Sequence, residues 1–374
     1  MKRLKLVPLT FILIIVIFTA IMAYVRLDNS HQLKQNFYRQ WQKYYVVKIN
    51  EKESYINTTP NSNKYTALSE GQGYGMYISA LAAQNGFDDK ATFERLNNFY
   101  LKHRETINKR KTALMSWREV EENGKWQVDK NSATDGDLFI AEALLLASKV
   151  YKDIHYQDEA VKILQDILRY EYNAKTRTLT VGNWANKNSK YYDLMRTSDV
   201  MPEFFDSFYK ATGDDRWLTI KRTMLERLYQ LSRQHKTGLV PDFAWVSATN
   251  AQPVKANTVA TKDDGNFSAN ACRVPMMLAN SNNKVAKKIE NRMLKFFSKQ
   301  NVVTAGYTLS GKAINNYESA SFSAPIFCAV SFNRKEGYDN LFMSQQYIFA
   351  KRLPQNNYYD AALTTIAALD AAKM

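Results

Sequence analysis

The 374 residues are 45% apolar and carry 51 Lys and Arg against 36 Asp and Glu, a formal charge of +15. That apolar content can bury a sizeable core and excludes an intrinsically disordered chain. The charge draws the surface toward anionic neighbours, but no helix-turn-helix signature, zinc spacing or RNP-like aromatic strand accompanies it, so no nucleic-acid partner is expected.

The chain opens on Lys2, Arg3 and Lys5, followed by an apolar run from about Leu9 to Val25 that Arg26 closes. A run of about 17 residues sits at the short end of a bilayer span and beyond the h-region of a cleaved signal. Residues 1–26 are therefore expected to form a cytoplasmic basic stub and transmembrane signal-anchor, with a cleaved secretion signal as the alternative. The leading cations place the N-terminus inside. Residues 27–374 are then outside, attached to the cell membrane, or secreted after cleavage. Without Lys2, Arg3, Lys5 and Arg26 the exported part still carries +11. Cys272 and Cys328 are expected to be small buried residues, with a bridge as the alternative. No Pro/Gly/Ser-rich linker divides residues 27–374, so one domain and a monomer are expected.

Beyond the apolar run, helical periodicity dominates. Apolar residues recur at three- and four-residue spacing near 74–84, 91–102, 137–150, 159–170, 201–211, 215–232, 284–298, 341–350 and 359–373, with only short candidates for strands. An all-α fold of helical hairpins around a common axis is expected, with loops at one end converging on a shared cleft. Periodicity does not say whether such a ring closes.

Chemistry concentrates in Ser69-Glu70-Gly71-Gln72-Gly73-Tyr74-Gly75-Met76, just before a helical pattern. Alternating glycines let a backbone approach a ligand, and a carboxylate held at such a turn can be desolvated enough to keep and donate its proton. A tight turn with a capping acid is the plain structural alternative. A phosphate cradle is excluded, because G-x-x-x-x-G-K-[ST] is absent and Glu70 would repel anions. His31, His103, His155 and His235 show no zinc-like spacing, and no nucleophile elbow is present. No metal or cofactor is implied.

The octapeptide resembles the signature of glycoside hydrolase family 8, whose Glu is the general acid. The resemblance implies an (α/α)6 barrel and an inverting endo-hydrolase of a β-linked polysaccharide, β-glucan or chitosan, with Glu70 as acid. Other segments match in order over roughly residues 35–370. Ser132-Ala133-Thr134-Asp135-Gly136-Asp137 is similar to the family's S-A-T-D-G-D. The resemblance gives Asp135 a contact to the sugar at the cleavage subsite, with Asp137 the lesser candidate. On their own, Thr134 and Asp135 read as helix caps. Arg196-Thr197-Ser198-Asp199-Val200-Met201-Pro202 and Gly238-Leu239-Val240-Pro241-Asp242-Phe243 are similar to motifs of one branch, and Asn270-Ala271-Cys272-Arg273-Val274-Pro275 to N-A-C-R-V-P. These place Asp199, Asn270, Arg273 and Tyr74 among the expected substrate-binding residues.

The general base is the difficulty. The cellulase-like branch has an Asp at the place of Asn270, and an amide cannot take up a proton at neutral pH. The chitosanase-like branch has a Glu about ten residues upstream, where this chain has Ala260. Asp263 and Asp264 remain as candidates, with Glu318 as a more distant one. Inversion needs that carboxylate roughly 6.5–9.5 Å from the acid, so that a water fits between them. Trp117, Trp184, Tyr191, Tyr192 and Trp245 are expected sugar-stacking platforms, Trp117 foremost. Two other readings compete with the enzyme: a catalytically impaired surface glycan-binding protein, which the Asn270 and Ala260 departures favour, and a purely structural helical scaffold.

Overall fold

The structure is a computed structural model that describes residues 6–62, 64–87, 90–333 and 337–372, and in the first helix the side chains apart from 6–10 and 23–27. Its helices are α1 (Leu6–Tyr45), α2 (Ser69–Gln84), α3 (Lys90–Lys102), α4 (Thr134–Tyr151), α5 (Ile154–Tyr170), α6 (Pro202–Thr212), α7 (Arg216–Arg233), α8 (Val274–Leu278), α9 (Lys284–Phe297), α10 (Ala320–Asn333), α11 (Asp339–Gln345) and α12 (Tyr358–Asp370).

Their contacts close a ring. α2 packs on α4, α4 on α6, α6 on α8, α8 on α10, α10 on α12, and α12 back on α2. The other helices sit outside: α3 against α2, α5 against α4, α7 against α6, α9 against α8, α11 against α10, and α1 against α12. This is the expected (α/α)6 barrel, and burial explains which helix goes where. α10 is buried at every position from Ser321 to Ser331 and α12 at every position from Ala361 to Leu369, as a helix surrounded by protein requires. The outer helices α5, α7 and α9 alternate buried apolar residues with exposed charges. Local signals fix their ends. Asn283 accepts hydrogen bonds from the Val285 and Ala286 amides at the start of α9, Pro202 opens α6, and Gly213 (φ 68°) closes it.

The fold is not purely helical. Five small antiparallel sheets occur among the described residues, and two of them aim chain segments at the site. One joins 66–68, 118–122 and 125–129 and leads into α2; the other joins 194–196, 243–246 and 251–253 and leads into the 3-10 turn Thr197–Asp199.

α1 runs unbroken across the boundary expected at residues 26/27. Phe37, Tyr38, Trp41 and Tyr45 in its second half join the core, whereas residues 11–18, Ile21 and Met22 are exposed. Lys2, Arg3 and Lys5 lie outside the described residues. Among those described, no helix is long and apolar enough to cross a membrane. Cys272 and Cys328 are buried free thiols.

Candidate active site

The N-terminal ends of the inner helices converge. Glu70 is the second residue of α2, Asp135 the second of α4, Asp199 precedes α6, Arg273 precedes α8, and Tyr358 opens α12. Helix N-termini carry unpaired amides and partial positive charge, so this end of the barrel is suited to carboxylates.

The glycines around Glu70 have a different role from the expected one. They lie inside α2, and what they approach is protein. A Cβ at Gly73 would stand 2.8 Å from the Phe139 Cβ and 2.9 Å from the Gly136 carbonyl, and one at Gly71 would stand 2.7 Å from Thr58. Gly75 abuts Ile56, and Gly136 abuts Ser69 in return. The alternation lets α2 sink onto α4 and onto the strand Glu53–Ile56, which sets the spacing of Glu70 and Asp135.

Arg273, completely buried, organises the centre. Its Nη1 donates to Glu70 Oε2 (2.8 Å), Asp135 Oδ2 (3.0 Å) and the Tyr74 hydroxyl (2.8 Å). Its Nη2 donates to Ser198 Oγ (2.9 Å) and Asn270 Oδ1 (3.0 Å). Arg196 reaches Asp135 at 2.7 Å and Asp199 at 3.6 Å. Glu70 retains 19% of its side-chain exposure, and its Oε1 accepts from the Tyr358 hydroxyl. The environments drive the two carboxyls apart. Burial raises Glu70 above the ordinary carboxylate range, against the lowering effect of Arg273. Burial also acts to raise Asp135, but Arg196 and Arg273 outweigh it and hold it at about 2. One carboxyl is therefore poised to keep a proton beside another that stays ionised.

The remaining expected site residues divide. Asp137 is buried and not available to a sugar: its Oδ1 accepts from the Met115 amide (2.9 Å), and its carboxyl pairs with Glu171. Tyr74 is also fully buried, edge-on to Phe139, so it props Arg273 and makes no ligand surface. Asp199 is 1% exposed and sits behind Arg196, burial pushing it up to about 7. Asp264 is committed to its own turn, accepting from the Val259, Ala260 and Thr261 amides (2.6, 3.1 and 2.9 Å). With two of these amides on Oδ2 and the third on Oδ1, neither oxygen is left to activate water. Asp263 is half-buried, with Oδ1 accepting from Asn266 (3.1 Å). Glu318 is exposed on the segment before α10.

Trp117 is 40% exposed, and its carbonyl accepts from the Ser69 amide (3.0 Å), which sets it beside the acid. Trp184, Tyr191 and Trp245 form a half-buried aromatic row, Trp184 edge-on to Tyr191 (5.3 Å) and Tyr191 stacked on Trp245 (6.3 Å). Tyr192, also half-buried, anchors Asn173 through its carbonyl (2.7 Å).

Three residues escaped the sequence reading. Tyr358 bonds Glu70 from the far end of the chain, and no local signal marks it. Arg196 and Asp242 stood in the quoted motifs without a role. Asp242 is 2% exposed; its Oδ1 accepts from the Ser268 and Ala271 amides (2.9 and 2.7 Å), and its Oδ2 faces the Asn270 amide nitrogen at 3.5 Å. Burial pushes it up to about 7, against the lowering effect of those amides.

Comparison with known proteins agrees with this geometry. Residues 13–372 match the model of the glycosyl hydrolases family 8. A beta-glucanase of Niallia circulans is 30% identical over 318 residues, 80% of this chain and 74% of the relative. An endoglucanase of Bacillus sp. strain KSM-330 is 29% identical over 336 residues, 83% and 70% of the two chains. The solved beta-1,3-1,4-glucanase from Paenibacillus sp. X4 superposes with a TM-score of 0.80 at 26% identity, covering 92% of each chain. The chain therefore belongs to glycosyl hydrolases family 8, enzymes that cleave glycosidic bonds with inversion.

Proposed function

We propose that the protein is an endo-acting hydrolase of a β-linked glucan, with Glu70 as general acid. The observation that carries this reading is the contrast between the two carboxyls on Arg273: a partly exposed Glu70 that burial raises above the ordinary carboxylate range, and beside it an Asp135 that Arg196 and Arg273 hold ionised. Glu70 protonates the leaving glycosidic oxygen as the bond to the anomeric carbon breaks. Tyr358 and Arg273, already bonded to Glu70, then hold the carboxylate that remains. Asp135, fixed and ionised, stabilises the positive charge developing on the sugar. The names of the relatives, beta-glucanase and endoglucanase, support a glucan substrate. The net charge of +15 disfavours polycationic chitosan.

Water attacks the opposite face, and its proton goes to a carboxylate. We assign that role to Asp242, acting beside Asn270. Asn270 shares Arg273 with Glu70, Asp242 Oδ2 faces Asn270, and a carboxyl near 7 is matched to base work at neutral pH. Asp263 is the second reading, favoured by its partial exposure. Asp242→Asn keeps an oxygen for the Ser268 and Ala271 amides and removes only the charge. We expect it to lower kcat on mixed-linkage β-glucan by roughly 10²–10⁴-fold, with Asp263→Asn near wild type. The reverse pattern would move the base to Asp263, and no hydrolysis of any β-glucan by the wild type would sink the substrate reading.

The exposed apolar residues 11–18, Ile21 and Met22 support attachment of the N-terminal part of α1 to a membrane, with the barrel outside the cell. Protease accessibility of the barrel on intact cells tests this, and protection would contradict it.

A further inference from the structure

An open groove of about 650 Å³ that the mechanism does not use is lined in part by Lys130 and Asn131, in the chain segment just before Asp135. It is lined by four aromatic residues, Tyr170, Tyr172, Trp184 and Tyr192, and by three cationic ones, Lys130, Arg169 and Lys187. No carboxylate is among its described lining residues. Arg169 is shared with Asp166 at 3.5 Å, but neither Lys130 nor Lys187 makes a salt bridge among the described residues, the charge of Lys130 acting only at longer range on Glu105. Amides complete the lining. The side chains of Asn131 and Asn188, both exposed, line it without a hydrogen bond to the protein among the described residues.

The groove is tied to the catalytic centre by two short routes. Asn183 Oδ1 accepts from the Ser132 amide (3.1 Å) and the Asn183 amide donates to Ser132 Oγ (3.2 Å), at the start of the segment that carries Asp135. The Asn131 carbonyl accepts from the Trp117 amide (2.6 Å), and the Trp117 carbonyl from Ser69, next to Glu70.

Aromatic faces match the apolar faces of sugar rings, amides match hydroxyls, and unpaired ammonium groups match anionic oxygens. We infer that this groove is an arm of the glycan site that binds a sugar residue carrying a negative charge, so that the substrate is an acid-substituted β-glucan-type chain. The inference rests on the glycosidase reading for the position of the chain, and it adds the charge of the substrate. It also gives the chain's surplus of cations a local purpose, since two of them line the groove and make no salt bridge among the described residues.

The test measures affinity apart from cleavage. Full-length Glu70→Gln protein is titrated with cellooligosaccharides bearing carboxymethyl, phosphate or neutral hydroxyethyl groups, and with a single-stranded oligonucleotide, at low and high salt. Both anionic oligosaccharides are expected to bind roughly tenfold tighter than the neutral one at low salt, with the preference lost at high salt. Preference for one of the two identifies the acid. Lys130→Gln/Lys187→Gln should abolish the preference, whereas Lys287→Gln/Lys288→Gln on α9, which removes the same charge elsewhere, should not. Equal binding of charged and neutral chains, no binding of any, equal loss in both double variants, or tighter capture of the oligonucleotide would each overturn the inference. Wild-type hydrolysis of neutral β-glucan, run in parallel, reports on the glycosidase reading alone.

Discussion

Gly73→Ala tests whether the closeness of α2 and α4 sets the catalytic geometry. Two effects of opposite sign compete. Ala is favoured over Gly inside a helix by about 1 kcal/mol. The new methyl would stand 2.8 Å from the Phe139 Cβ and 2.9 Å from the Gly136 carbonyl, where carbon contacts are comfortable at about 3.5–4.0 Å. Both obstacles are fixed to the backbone of α4. Rotamer changes cannot relieve the overlap, and α4 cannot yield locally because Gly136 itself abuts Ser69. Overpacking of this kind costs about 1–3 kcal/mol, and with two backbone-fixed obstacles it outweighs the propensity gain, so a net loss of up to about 2 kcal/mol is expected in urea unfolding. Activity should suffer more. Glu70 and Asp135 sit one turn or less from the contact, and a displacement of about 1 Å at reacting groups can cost about 10²-fold in rate. Initial rates on mixed-linkage β-glucan measure this. A Gly73→Ala protein at least as stable as wild type, with unchanged kcat, would refute the reasoning.

Arg273→Met removes the buried cation shared by Glu70 and Asp135. Breaking such a pair from one side costs about 3–5 kcal/mol, and a loss under about 1 kcal/mol in chemical denaturation would contradict the network described here. The Asp137–Glu171 pair predicts a pH effect. Burial pushes Glu171 up to about 7, although Ser132 and Asp137 act to lower it. Burial and the charge of Glu171 raise Asp137 well above the carboxylate range. Unfolded carboxyls titrate near 4.3, so the folded state holds the extra proton between that value and about 7. The pair's stabilisation is full below the unfolded pKa and is lost as pH rises through about 7. Glu171→Gln should therefore make the decline in unfolding midpoint between pH 4.5 and 7.5 shallower than in wild type; an unchanged slope would rule the pair out.

Much of the barrel was legible because its outer layer is amphipathic. The expected helices near 91–102, 215–232 and 284–298 match α3, α7 and α9 to within a residue or two. α10 was missed for the opposite reason. Buried nearly all round, it has no polar face to give a period, and it contains Pro325. α8 is five residues long, too short for any period. The strands span two to six residues, below what alternation resolves. One left a readable mark, Asn123-Gly124 between 118–122 and 125–129, where both residues take positive φ (54° and 77°).

Glu70 and Arg273 stand out in the sequence because their motifs are dense in chemistry, and the structure brings the two together. The glycines were located correctly and explained wrongly, because a sequence does not distinguish close approach to a ligand from close approach to a helix. Asp137 and Asp264 read as available acids, yet the backbone amides that claim them are set by tertiary structure. Tyr358 lies 288 residues from Glu70, and only ring closure through α12 and α2 brings them together.

The proton on Glu70 is the centre of the account. The most direct measurement is the release of reducing ends from β-glucan by wild type and Glu70→Gln, with the anomer of the fresh product followed by NMR. The account predicts immediate formation of the α-anomer by wild type and a loss of roughly 10²-fold or more in Glu70→Gln, with glucan still bound. Turnover by Glu70→Gln close to wild type, or initial release of the β-anomer, would contradict it.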